Sequence, residues 1–470
     1  MWRDELQAWT LATHSRSLSE LLYLKRYEGH PDLWFLLLWP VSRLSTDAVL
    51  IQIVHTGLAL ATASLLVFCS PFRFWEKALL LFGYYLLFEY GTISRNYQIG
   101  VLLAFGIAAI WPLATKRPLL LGVGLALLFQ TNAFGMLVGL GIGAGWLLRL
   151  LKDRKLLTLN ALLAMSLAVV GLVRAWLATK TPPDGSFNTA WNWQWRFDNL
   201  VDSLKTIYEG FFPLPVFQVN FWNTNWLAGT MAPVLIALCC LVAICWFFRK
   251  EPVSLVIFLI PALLIIAFTF SRYHGSLRHN GHYMIALIVS YWVYRANGAA
   301  PQTGMSWLFG VLLVVQSVAG LYAAYMDGRY AFSMARPLVT YLKRTYPGTV
   351  AVAGSYNHLM TPVAGYLQRD VYTLSTNRWG SYVQWKADDW NEARLSEPDS
   401  VLFTRYLAFN RKYPNSLLVM AYHPFSHPDV REGTRYQLHT DEGTYQFKCV
   451  KAFAPAIVPD ENYYIYQRER

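Results

Sequence analysis

Apolar residues in this chain fall into long runs separated by short polar stretches. Ten runs, at 48–69, 78–92, 97–114, 118–131, 133–149, 156–178, 229–248, 253–271, 283–295 and 305–325, approach the length that crosses a ~30 Å hydrocarbon core. Each predicts a transmembrane helix. The Pro31–Leu44 segment is apolar but shorter, and predicts an amphipathic helix lying in the interface. Beyond Tyr325 the pattern changes. Met334–Tyr346 predicts an amphipathic helix, followed by a helix-like run to Gln368. Strands are predicted at Thr349–Ala353, Val371–Leu374, Ser400–Thr404 and Ser416–Tyr422, with a closing ribbon of Arg435–His439 and Tyr463–Tyr466. The expected architecture is a polytopic α-helical membrane protein with a C-terminal soluble α/β domain. Residues 1–47 form a first outer loop, 48–326 the bundle with a long outer loop at 179–228, and 327–470 the C-terminal domain.

Composition agrees with this picture. Of 470 residues 55% are hydrophobic and 14% charged, where soluble chains carry about a quarter charged residues. The net charge of +12 does not point to nucleic acid, because the basic residues sit in alternate short loops. Arg73/Lys77, Lys116/Arg117, Arg149–Lys155, Arg249/Lys250 and Arg295 form one set, which the positive-inside rule places in the cytoplasm. The N-terminus, residues 89–98, 130–132, 179–228, 272–282 and the C-terminal domain then face outward together. An N-terminus outside without a preceding span predicts an anchoring helix ahead of residue 1. The five cysteines show no metal-type spacing and no disulfide pair in the tail.

The candidate chemistry lies on that outer side. Asp4 and Glu5 are adjacent carboxylates, with a helix-capping role as the alternative. Glu28-Gly29-His30-Pro31 returns an acid and an imidazole to the same surface. Ser94-Arg95-Asn96-Tyr97 puts a cation where the topology rule disfavours one, with a Glu89–Arg95 ion pair as the alternative, and Arg174 suits snorkelling. The stretch from Ser271 to Tyr283 holds Arg272, His274, Arg278, His279 and His282, a cluster suited to phosphate oxygens. His279 and His282 could instead chelate a metal, but no helical H-E-x-x-H pattern or third ligand accompanies them. Trp191, Trp193 and Trp195 could stack on sugars or belong to an interfacial belt.

The Asp4-Glu5 pair, the His30-Pro31-Asp32-Leu33-Trp34 helix entry, the Ser94–Tyr97 turn, the Arg278-His279-Asn280-Gly281-His282-Tyr283 loop and the C-terminal outer domain together resemble the GT-C integral-membrane glycosyltransferases. Within these they are most similar to the protein O-mannosyltransferase/aminoarabinose-transferase-like, family 39-like group. The resemblance implies inverting transfer of a sugar from a polyprenyl-phosphate donor to a glycolipid, glycan or protein acceptor. It places the site outside a bacterial inner membrane, with a divalent metal as an open question. It also implies Asp4 as general base assisted by Glu5, and His30, Arg95, Arg272, Arg278, His279 and His282 as donor-phosphate contacts. Glu28, Tyr97, Trp191 and Trp193 would line the substrate. A phosphate leaves without a proton, so such a site needs a base beside the acceptor and fixed positive charge beside the donor. A transporter of lipid-linked sugars and a GT-C-like glycan polymerase or ligase are the competing expectations.

Overall fold

The computed structural model describes residues 1–186, 197–299, 303–346, 350–387, 397–421, 431–440 and 443–469. A helical bundle occupies most of the chain and a sheet domain closes it. Five helices are long and apolar enough to cross a membrane: Val49–Cys69, Ala133–Lys152, Leu159–Thr179, Pro252–Ser271 and Thr303–Arg329. Four of the expected ten runs are present only as shorter apolar helices or helical cores. Tyr97–Ala109 and Pro118–Phe129 have 13 and 12 residues, so at ~1.5 Å per residue they reach only ~20 Å. Ala232–Phe248 has 17 residues and His282–Ala296 has 15. The run at 78–92 does not form one helix. It divides into Phe74–Leu81 and a wider, π-helical turn at Tyr84–Glu89.

Every residue of His282–Tyr294 is buried, so this short helix is the axis of the bundle rather than a lipid-facing wall. Around it, small residues let helices approach closely. A Cβ at Gly141 would lie 2.3 Å from the Pro261 ring, and one at Gly145 2.4 Å from Ile257. This is the small-xxx-small contact by which apolar helices pack without a hydrophobic driving force. The long loop beginning at residue 179 also contributes to the bundle. Its helix Phe197–Phe211 and the segment after it bury Tyr208, Phe211, Phe221 and Trp222 in the bundle core.

The C-terminal domain begins with the helix Ala335–Thr345 and contains a seven-stranded mixed sheet. Its strands are β1 (Val352–Gly354), β2 (Val371–Thr373), β3 (Arg378–Gly380), β4 (Leu417–Met420), β5 (Arg435–Thr440), β6 (Gly443–Phe453) and β7 (Tyr463–Arg468). Their order is β3-β2-β1-β4-β7-β6-β5, with β1 parallel to β2 and β4. Two expectations are corrected. Ser400–Thr404 is not a strand but the start of the helix Asp399–Lys412. Leu402, Phe403, Tyr406 and Leu407 recur at helical spacing on its buried face, and Asp399 and Arg411/Lys412 suit its dipole. The ribbon expected from Arg435–His439 and Tyr463–Tyr466 is split by β6, which pairs with both strands.

The first helix, Arg3–His14, fastens this domain to the bundle. It packs on the helix Asn357–Leu367, where Gly365 lies so near that an added Cβ would stand 3.3 Å from Leu6. The backbone N–H of Arg3 donates to Glu461 Oε1 at 3.0 Å, and its guanidinium to Asp460 at 2.7 Å. The first helix is thereby tied to the sheet domain through both backbone and side chain.

Candidate functional site

Asp4 and Glu5 begin the same helix but have different fates. Glu5 is buried, and its two carboxylate oxygens accept the backbone N–H groups of Trp2 (2.9 Å) and Ser94 (2.8 Å). It fixes the helix start against the 94–97 turn and does not line the cavity. The expected role as assistant to Asp4 does not fit this placement, because a carboxylate outside the cavity is out of reach of an acceptor's proton. Successive residues point ~100° apart on a helix. Asp4 accordingly faces a cavity of about 290 Å³ between the bundle and the C-terminal domain.

Two arginines meet Asp4 there. Arg278 Nη1 lies 3.0 Å and Arg95 Nη1 3.8 Å from Asp4 Oδ2, and Arg95 also donates to the Asp4 carbonyl at 2.6 Å. Residues 4, 95 and 278, remote in sequence, therefore share one ion cluster. Burial alone would raise the Asp4 carboxyl, but the two guanidiniums outweigh it and hold Asp4 below the ordinary carboxylate range. Arg3 and Arg272 line the same cavity. Four guanidiniums thus border it, and Arg3 is balanced by Asp460 and Glu461. The Glu89–Arg95 pair does not form. Glu89 instead accepts from Tyr84 Oη at 3.1 Å and Trp222 Nε1 at 3.0 Å.

Glu28, Gly29 and His30 form the next wall. Gly29 has φ +64°, a left-handed turn that costs glycine little. Asp32 secures this turn. Lys25 Nζ lies 2.5 Å from Asp32 and donates to the His30 carbonyl at 2.7 Å, while Arg174 also pairs with Asp32 rather than only snorkelling. Glu28 Oε1 accepts from Gln7 Nε2 at 2.8 Å, and burial pushes its carboxyl up to about 7.

The histidines differ from expectation. His279 is buried, and its Nδ1 accepts the Ser276 N–H at 2.9 Å. Its proton must then sit on Nε2, 2.9 Å from Tyr97 Oη. His279 donates to the tyrosine, which leaves the Tyr97 hydroxyl proton for another acceptor. Burial, with Arg278 nearby, holds His279 well below its usual range. His30 Nε2 lies 3.3 Å from Arg95 Nη2 and so must accept, and burial with Arg95 and Arg278 pushes its pKa down to about 3. Neither ring is the cationic phosphate contact that was expected. His282 is also buried, its Nδ1 bonded to the His279 carbonyl at 2.9 Å and to Tyr90 Oη at 3.2 Å, behind the cavity wall. Among the described residues no cluster of three or more His, Cys, Asp or Glu side chains could hold a metal ion. Trp191, Trp193 and Trp195 lie outside the described residues.

The C-terminal domain supplies the remaining wall through His358, Thr361, Val383 and Trp385. Sequence gave no signal for these, since nothing local relates them to the bundle. Gln7 was readable, because it lies three residues after Asp4 on one helical face. Its amide donates to the Val383 carbonyl (2.7 Å) and accepts from the Val383 N–H (3.0 Å), joining the two domains at the cavity rim. No family model, curated protein or solved structure matches this chain significantly.

Proposed function

We propose that this protein transfers a sugar, with inversion, from a polyprenyl-phosphate donor to an acceptor at the outer face of a bacterial inner membrane. The observation that carries the reading is the Asp4–Arg95–Arg278 cluster, in which a carboxylate and two guanidiniums share a cavity beside apolar helices. In this reading Arg95 and Arg278 hold the donor phosphate, Arg272 adds positive field, and Tyr97 donates its hydroxyl hydrogen to a phosphate oxygen. A planar guanidinium fork suits that oxygen pair, and preorganised positive charge stabilises the phosphate as it departs. A cavity carboxylate, Asp4 or Glu28, removes the proton from the acceptor. The cavity opens where the bundle meets the sheet domain, which brings lipid-borne donor and polar acceptor to one place. The short helices at 97–109, 118–129, 232–248 and 282–296 complete the expected ten crossings with Phe74–Glu89, in a locally thinned bilayer.

Binding of a polyprenyl phosphodiester to purified protein tests this. Arg278→Ala should lose most of the affinity. Equal affinity in wild type and variant would reject the phosphate role.

A further inference from the structure

We infer that Glu28, and not Asp4, is the carboxylate that takes the acceptor's proton, with Asp4 serving as the counter-ion that holds Arg95 and Arg278 ready for phosphate. The inference rests on the glycosyltransfer reading and names the division of labour within it.

The two carboxylates of the cavity are in opposite situations. Asp4 Oδ2 is shared by Arg278 and Arg95. A carboxylate neutralised by two guanidiniums is a weak base, and taking a proton would break the cluster that is to bind the donor. Glu28 forms no ion pair among the described residues. Its hydrogen-bond partners among the described residues are neutral, the Gln7 amide and the Trp385 side chain. The groups that face it are Asp4 and Gln7 from the first helix, Arg95 from the 94–97 turn, Lys25 from its own segment, and Trp385 from the sheet domain. His30, two residues on, is neutral in this setting. Burial pushes the Glu28 carboxyl up to about 7, where a general base is most effective near neutral pH. Two acids whose surroundings drive them apart are the usual sign of separate roles.

The step balances. The acceptor hydroxyl oxygen forms a bond to the anomeric carbon while that carbon's bond to the phosphate oxygen breaks, its electron pair leaving with the phosphate. The hydroxyl proton moves to Glu28. A phosphodiester monoanion and a glutamate become a phosphomonoester dianion and a glutamic acid, at constant total charge. Arg95 and Arg278 receive the second negative charge.

Two measurements test this with wild type, Glu28→Gln and Asp4→Asn. The first is the affinity for a polyprenyl methyl phosphodiester, whose charge is fixed between pH 5 and 9. Wild type should bind several-fold more tightly as pH falls through about 7, because protonating Glu28 removes a negative charge from the cavity. Glu28→Gln should bind at least as tightly as wild type at low pH, and without that pH dependence. The second is transfer in native membranes from the host's own polyprenyl-phosphate sugars, labelled in the sugar. Glu28→Gln should lose about 10²–10⁴-fold in rate, whereas Asp4→Asn should keep the rise of rate with pH near neutrality. Turnover of Glu28→Gln within about threefold of wild type, loss of phosphodiester binding in that variant, or persistence of the pH dependence in it would overturn the assignment. A wild-type protein that binds no phosphodiester at any pH would instead remove the glycosyltransfer reading.

Discussion

The two walls of the cavity differ in kind. The bundle side, with the first helix, carries Arg3, Arg95, Arg272, Arg278, Asp4 and Glu28. The sheet-domain side carries His358, Thr361, Val383 and Trp385, and its one ionisable group is held neutral because burial, with Arg3 nearby, pushes His358 down to about 3. Charge is therefore concentrated on the helical domain, while the sheet domain offers shape and neutral polar groups. The sheet domain thus completes the pocket, and in the proposed glycosyltransfer reading anion recognition belongs to the bundle.

Substitutions on the two walls should separate these roles. The largest effect is expected for Arg278→Ala, which removes a proposed phosphate contact and leaves Asp4 paired with Arg95 alone. Affinity for a polyprenyl phosphodiester should fall about 10²–10³-fold, as for truncation of one member of a desolvated charge pair. Next comes Tyr97→Phe, which deletes one donor to a charged oxygen and should cost about 10- to 100-fold. His279→Ala should reproduce part of that loss by releasing the tyrosine, and His279→Gln should recover some of it, since an amide can still donate. If His279 acted through positive charge, its glutamine variant would recover nothing. Smallest is Thr361→Val on the opposite wall, where phosphodiester affinity should stay within about twofold while transfer to acceptor changes more. Equal losses on both walls, measured in the same binding assay, would erase the proposed distinction.

The junction itself can be tested by stability. Burial pushes Glu461 up to about 7, with Arg3 opposing. A carboxyl raised in the folded state binds its proton more tightly there than in the unfolded chain, so its contribution to stability is present below about 4.5 and lost as pH rises to about 7. Relative to Glu461→Gln, wild type should lose thermal stability across that window. A difference between the two that does not change with pH would contradict the shifted Glu461.

Much of this arrangement was readable from residue order. The alternation of apolar runs and basic loops placed residues 4, 95 and 278 on one side, and the structure brings them within one ion cluster. Helix number was less readable, because an apolar run does not reveal where it breaks. The stretch 78–92 contains a π-helical turn, and the 283–295 run is the buried axis of the bundle. Side-chain roles were expected from charge and from resemblance, neither of which anticipates the hydrogen-bond partners of Glu5 and the histidines. Glu5 meets Ser94 and His279 meets Ser276 through backbone N–H groups, partners that no residue pattern announces. In the sheet domain, β6 was not anticipated although Tyr445, Phe447 and Cys449 alternate with polar residues along it, and His358 and Trp385 reach the cavity only through tertiary docking.

The most direct test of the central claim is a structure of the protein with a bound polyprenyl phosphodiester. The account predicts the phosphate within hydrogen-bond distance of Arg95 and Arg278, with the Glu28 carboxylate on the acceptor side of it. A phosphate bound elsewhere, with the Asp4–Arg278 pair undisturbed, would contradict it.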